Sequence, residues 1–202
     1  MFSENAVSDV SLSVDQGEVV AIAAPSGAGK STLARLMCGV ASPTGGRVLK
    51  RGVPVSVSNL ESAGIRIVSV MQDDVIYTGA IRRNIQMFRP GGWKTWRRRR
   101  DRPRLTSSSS PCRCGTKRSP AIAHLRSRRQ RQRIRLARAL FGKPELLVLD
   151  EATSHLDLGT ERCVLDGIRS LGAATVVFAH RPETLKAADR MLPLDNGRLQ
   201  AA

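Results

Sequence analysis

Lys30 and Ser31 close a stretch, Ala24-Pro25-Ser26-Gly27-Ala28-Gly29-Lys30-Ser31, whose residue types suit the binding of phosphate. Its glycines let consecutive backbone N–H groups turn inward around one anion, and a helix starting here would add the positive end of its dipole. The stretch fits the pattern G-x-x-x-x-G-K-[ST] except at its first position, where Ala24 adds only a methyl. In that pattern the lysine reaches the terminal phosphates and the hydroxyl holds Mg²⁺. An ordinary glycine-rich turn between strand and helix would need none of these residues in register. A second stretch, Asp150-Glu151, follows four apolar residues. One carboxylate there can enter a Mg²⁺ shell, and its neighbour can accept a proton from water. Alone, such a pair would more often mark the start of a helix. His180 and Gln72, each placed after an apolar run, carry no chemistry by themselves, and a lone histidine at a strand end is usually structural.

Those residues need elements to hold them. Val19 to Ala23 is continuously apolar, as expected for a strand buried on both faces, and Ser31 to Met37 places Leu33, Leu36 and Met37 at helical spacing. Gly39 is a helix stop, and Gly45-Gly46 marks a turn before Val48-Leu49. Ile65 to Met71 predicts a second buried strand. Ile134, Leu136, Ala137 and Leu140 form a helical stripe within Gln130 to Leu140, and Leu146 to Leu149 predicts a strand ending in Asp150. A helix over Gly159 to Leu171 would turn Val164, Leu165 and Ile168 inward; Thr175 to Phe178 predicts a further strand, and Asn196-Gly197 a hairpin. Strands alternating with helices imply an α/β fold built on a mainly parallel sheet.

At 202 residues, 41% of them apolar, the chain is sized for one domain with one core. No apolar run approaches the ~18 residues that span a bilayer. The start, Met1-Phe2-Ser3-Glu4-Asn5, is not expected to be a secretory signal, and four scattered cysteines do not make a disulfide framework. The net charge of +16 is concentrated: residues 89 to 129 hold 14 of the 33 basic residues and one acid, Asp101. That window has no periodicity.

The order of these motifs is distinctive. The P-loop, Met71-Gln72-Asp73-Asp74, the helix from Gln130, Leu149-Asp150-Glu151-Ala152-Thr153-Ser154-His155-Leu156-Asp157, and Ala179-His180-Arg181-Pro182-Glu183-Thr184 follow one another. The chain resembles the nucleotide-binding domain of an ATP-binding cassette (ABC) transporter, most closely the bacterial exporters of the colicin V type, over residues 9 to 88 and 130 to 199. The resemblance implies a P-loop NTPase fold and a single ATPase domain over 1–202 that lacks the family's first strand. It divides into a P-loop and glutamine-loop part (1–88), an aberrant basic segment (89–129) and a part with the acidic pair and the histidine (130–202). It implies ATP and Mg²⁺ as ligands. Residues 24–32, among them Ser26, Ala28 and Thr32, would hold nucleotide, with Lys30 on phosphates. Ser31, Gln72 and Asp150 would organise Mg²⁺; Glu151 would be the general base, and His180 would contact the γ-phosphate. Asp157 would communicate across a head-to-tail dimer of two such domains. Phe2 is the candidate to stack on adenine. The implied partners are a second nucleotide-binding domain and a membrane-spanning domain on another chain, which would keep this one in the cytoplasm against the inner face of the bacterial inner membrane. No specific nucleic acid is expected.

Where the family has its Leu-Ser-Gly-Gly-Gln signature, this chain reads Arg126-Ser127-Arg128-Arg129-Gln130. Ser127 and Gln130 would face the other domain's ATP, but two arginines replace glycines that allow close backbone approach. Read one nucleotide earlier, with CGN codons for Arg, Lys94-Thr95-Trp96-Arg97 becomes Glu, then Asp or Asn, then Leu, Met or Val, then Ala. Pro111 to Thr116 can become Ala-Leu-Pro-Met-Arg-Tyr, which resembles the segment before the exporters' signature. The expectation is that residues 89 to 129 are translated out of frame, with a disordered or malformed helical subdomain, intact nucleotide binding and impaired hydrolysis. Two other readings remain open here. One is a basic nucleic-acid-binding protein using Arg97 to Arg104 with Trp93 and Trp96, and the other is an ABC ATPase without a transport role. Cys112 and Cys114, with no second pair, are a weak metal motif.

Overall fold

A computed structural model describes residues 7–71, 74–78, 80–86, 128–153, 156 and 158–200. Strand β1 (Val19–Ala23) has four of its five residues fully inside, as its unbroken apolar sequence requires. Helix α1 (Lys30–Met37) follows and buries Leu33, Ala34 and Met37. Gly39, at φ +70°, ends it in the left-handed conformation that glycine adopts without strain. A small hairpin, β2 (Leu49–Lys50) with β3 (Val53–Pro54), turns at Arg51-Gly52, where both residues have positive φ. Next come α2 (Val57–Ser62), β4 (Ile67–Val70) and α3 (Ile81–Gln86). After residue 127 follow α4 (Arg128–Phe141), β5 (Leu146–Asp150), α5 (Leu158–Ser170), β6 (Ala174–Ala179), α6 (Pro182–Lys186), β7 (Arg190–Asp195) and β8 (Arg198–Leu199).

The six-stranded sheet runs β4-β5-β6-β1-β7-β8, parallel throughout except for the terminal β7–β8 hairpin at Asn196-Gly197. Its register decides what the carboxyl ends bring together. Ala23 of β1 pairs with Ala179 of β6, and Asp150 of β5 pairs with Phe178. The loops leaving β1, β5 and β6 therefore open on one edge of the sheet, where open α/β sheets bind ligands. One core cluster packs α4 and α5 on β5 through Leu136, Leu140, Leu147, Leu149, Val164 and Ile168. Another packs α1 on β1 and β6 through Ile22, Leu33, Met37, Val176 and Phe178.

Several boundaries differ from the sequence reading. The strand expected over Ile65 to Met71 is confined to Ile67–Val70, because the Ile65 N–H caps α2 by donating to Leu60 O at 2.9 Å beyond Gly64, φ +64°. The helices expected from Gln130 and Gly159 begin at Arg128 and Leu158. Phe2, Trp93, Trp96, Cys112, Cys114 and nearly all of the basic window lie outside the described residues.

Candidate active site

The phosphate loop leaves β1 and enters α1 through two glycines with positive φ, Gly27 at +84° and Gly29 at +99°, the latter at the N-cap. A Cβ at Gly27 would meet nothing within 4 Å, so backbone conformation rather than crowding calls for glycine there. Ala24 has no such demand. It lies outside the left-handed region, and its side chain is buried in the α1–β1 core, which explains why alanine fits where the pattern has glycine. Pro25, Ser26 and Gly27 are exposed, while Ala28 is buried and its N–H closes the turn onto Pro25 O at 3.3 Å. Lys30 Nζ donates to Ala24 O and Pro25 O, both at 3.1 Å, which holds its ammonium across the loop. Thr32 lies on α1 and lines a separate groove against residues 7–14.

Opposite the loop, Asp150 ends β5 with only 7% of its surface exposed, and the Ser31 hydroxyl donates to its Oδ2 at 3.4 Å. A hydroxyl and a carboxylate are hard oxygen donors of the kind Mg²⁺ prefers. Adjacent ligands of an octahedral Mg²⁺ at ~2.1 Å lie ~3 Å apart, so this pair fits that ion. Glu151 Oε1 lies 3.9 Å from Lys30 Nζ and 3.8 Å from His180 Nδ1, so one carboxylate stands between the loop lysine and the histidine after β6. Glu151 has φ +50°, a conformation that costs a non-glycine residue about 1–2 kcal/mol. Its backbone is held there from two sides. Its N–H donates to Phe178 O at 3.2 Å, and Gln132 Nε2 on α4 donates to Glu151 O at 3.2 Å and also to Ala152 O.

Gln132 was not singled out by the sequence reading. The signal was a polar residue in line with Leu136 and Leu140 on a buried helix face; it is 5% exposed. Gln130 is exposed on the first turns of the same helix. Gln72, Ser127 and Asp157 lie outside the described residues. The structure thus brings Lys30, Ser31, Asp150, Glu151 and His180 to one edge of the sheet.

The sequence profile described as ABC transporter matches residues 7–154. The chain belongs to the ABC transporter family. Over 195 residues this ABC chain is 37% identical to the probable microcin-H47 secretion/processing ATP-binding protein MchF of Escherichia coli, covering 95% of itself and 28% of that relative. It is 38% identical over 190 residues to the colicin V secretion/processing ATP-binding protein CvaB of Escherichia coli, covering 93% of itself and 27% of that relative. Among solved structures, a bacterial Atm1-family ABC exporter with ATP bound matches with a TM-score of 0.84 at 31% identity, covering 100% of this chain and 36% of that one. The ABC chain thus spans less than a third of either Escherichia coli relative. Among its described residues, no helix is long and apolar enough to cross a membrane.

Proposed function

We propose that the chain is the ATP-binding and ATP-hydrolysing domain of an ABC exporter that secretes a peptide, bacteriocin or toxin. The observation that carries the site is the convergence of Lys30, Ser31, Asp150, Glu151 and His180 where β1, β5 and β6 end. The kind of cargo rests on the similarity to the microcin and colicin V secretion proteins. In this reading the loop amides and Lys30 grip the β- and γ-phosphates, and His180 donates to the γ-phosphate. Glu151 accepts a proton from the attacking water as that water's oxygen bonds to the γ-phosphorus and ADP leaves. Mg²⁺, held by Ser31, Asp150 and Gln72, would neutralise charge on the phosphate oxygens.

Two such domains would close head to tail, with Ser127 and Gln130 of one against the ATP of the other and Asp157 at their interface. A membrane-spanning domain would hold the pair at the cytoplasmic face of the inner membrane. The arginines at the signature position and the codon pattern support a second part of the proposal: residues 89–129 are read out of frame, leaving nucleotide binding intact and turnover slow. Resequencing the gene tests the frame, and an uninterrupted, well-covered frame through this window would refute it. For activity, phosphate release is measured in the wild type and Glu151→Gln. Slow release that falls further in the variant is expected. Vigorous release in the wild type would overturn the impairment, and release equal in both would overturn the role of Glu151.

A further inference from the structure

The loops leaving β5 and β6 are joined by a cluster, buried at Glu161 and Thr184 and half-buried at Arg181, that the phosphate chemistry does not use. Glu161, in the first turn of α5, is 3% exposed. A carboxylate so placed is costly unless it is paired and hydrogen-bonded. Glu161 Oε1 accepts a hydrogen bond from Thr184 Oγ1 on α6, and Oε2 lies 3.4 Å from Arg181 Nη1. The same Nη1 donates to Leu156 O at 3.0 Å. Arg181 is the residue after His180 and the N-cap of α6, while Leu156 is buried in the loop that follows Glu151. One guanidinium therefore ties the histidine loop to the loop after the acidic pair, and a buried carboxylate holds that guanidinium in place.

We propose that Glu161, Arg181 and Thr184 form a clamp that makes these two loops move as one body and sets the position of His180. Arg181 is a positioning residue in this scheme. Its Nη1 amine reaches a carbonyl and a carboxylate together, with its two N–H directions fixed by the guanidinium plane, which a freely rotating lysine ammonium on a flexible stem holds less well. The part of the proposal that concerns nucleotide rests on His180 touching the γ-phosphate, as proposed above. Weakening the clamp then costs affinity for ATP and not for ADP, which has no γ-phosphate.

The test uses the full chain in five forms: wild type, Glu161→Gln, Arg181→Met, Arg181→Lys and His180→Ala. Glu161→Gln keeps the volume and an acceptor for Thr184, so it remains informative if Arg181→Met, which strands a buried carboxylate, folds poorly. Amide hydrogen exchange reads the clamp itself. Faster exchange in both 152–156 and 180–186 is expected in Glu161→Gln and Arg181→Met, with partial restoration in Arg181→Lys. Acceleration of one segment alone, or of neither, overturns the clamp. Titration with ATP·Mg²⁺ and ADP·Mg²⁺ reads its consequence: about three- to tenfold weaker ATP binding with ADP changed less than about twofold, the size of one lost hydrogen bond. Equal losses for both nucleotides would show a structural role only and overturn the positioning role. His180→Ala separates the two readings. If it spares ATP affinity, the γ-phosphate role fails, and the exchange result still decides the clamp.

Discussion

Ser31 and Asp150, 119 positions apart in the chain, place Oγ and Oδ2 3.4 Å from each other. Neither the loop nor the strand could achieve this alone. Asp150 reaches the edge because β5 pairs with β6 in register with Phe178, and Ser31 because β1 pairs on the other side of β6. Asp150→Ala is expected to remove the Mg²⁺ dependence of nucleotide binding while leaving the Lys30 contacts. Titrations of ATP with Mg²⁺ and with EDTA check this, and a variant that still binds more tightly with Mg²⁺ would place the ion elsewhere.

In the role proposed for it, Glu151 would act on water and not on the ground-state nucleotide. Glu151→Gln should keep ATP·Mg²⁺ affinity within about twofold and lower phosphate release by about 100-fold or more, the usual scale for losing a general base. Paired binding and release assays separate the two effects.

Ala24 is a departure from the pattern that the fold accommodates. Since its methyl is buried and its φ is not positive, Ala24→Gly should lower stability by about 0.5–1 kcal/mol with ATP affinity unchanged. A thermal melt and a nucleotide titration on the same sample check both halves. A gain in stability would mean that the methyl strains the loop.

At the opposite edge of the sheet, Asp189 Oδ2 accepts the Val19 N–H at 2.8 Å, and Oδ1 pairs with Arg169 at 2.7 Å. The backbone hydrogen bond, aided by Arg169, holds its carboxyl below the usual carboxylate range. A folded-state pKa below the unfolded ~3.9 stabilises the fold above that pH and ceases to as pH falls through the folded value. The stability gap between wild type and Asp189→Asn should therefore be constant above about pH 5 and close in acid. Denaturant melts across pH 2–7, a range set around the ~3.9 reference, would show it, and a gap that persists at the acid end would refute the linkage.

The central strands were legible because buried parallel strands leave nearly unbroken apolar sequence, as in Val19–Ala23, in Leu146–Asp150 up to its final aspartate and in Ala174–Ala179 apart from Thr175. The phosphate loop was legible because its glycines, lysine and hydroxyl are local in the chain. The short helices α2, α3 and α6 were not. Five or six residues give no period to read, and their limits are set by caps such as the Ser56 side chain on Asn59 N–H and Pro182 at the helix start. Nor could composition reveal Gln132 and Glu161 as buried, since each is decided by partners about 20 residues away in the chain. The positive φ of Glu151 follows from bonds to Phe178 and Gln132, and no local signal encodes it.

The most direct measurement is an equilibrium titration of the purified chain with ATP·Mg²⁺, made alongside Lys30→Ala. Lys30 spans the loop carbonyls and approaches Glu151, and a charged hydrogen bond of this kind corresponds to about 10- to 100-fold in affinity. Saturable binding by the wild type, weakened at least about tenfold in Lys30→Ala, is the expected result. Equal binding by the two proteins, or none by a folded wild type, would contradict a nucleotide site at the carboxyl edge of this sheet.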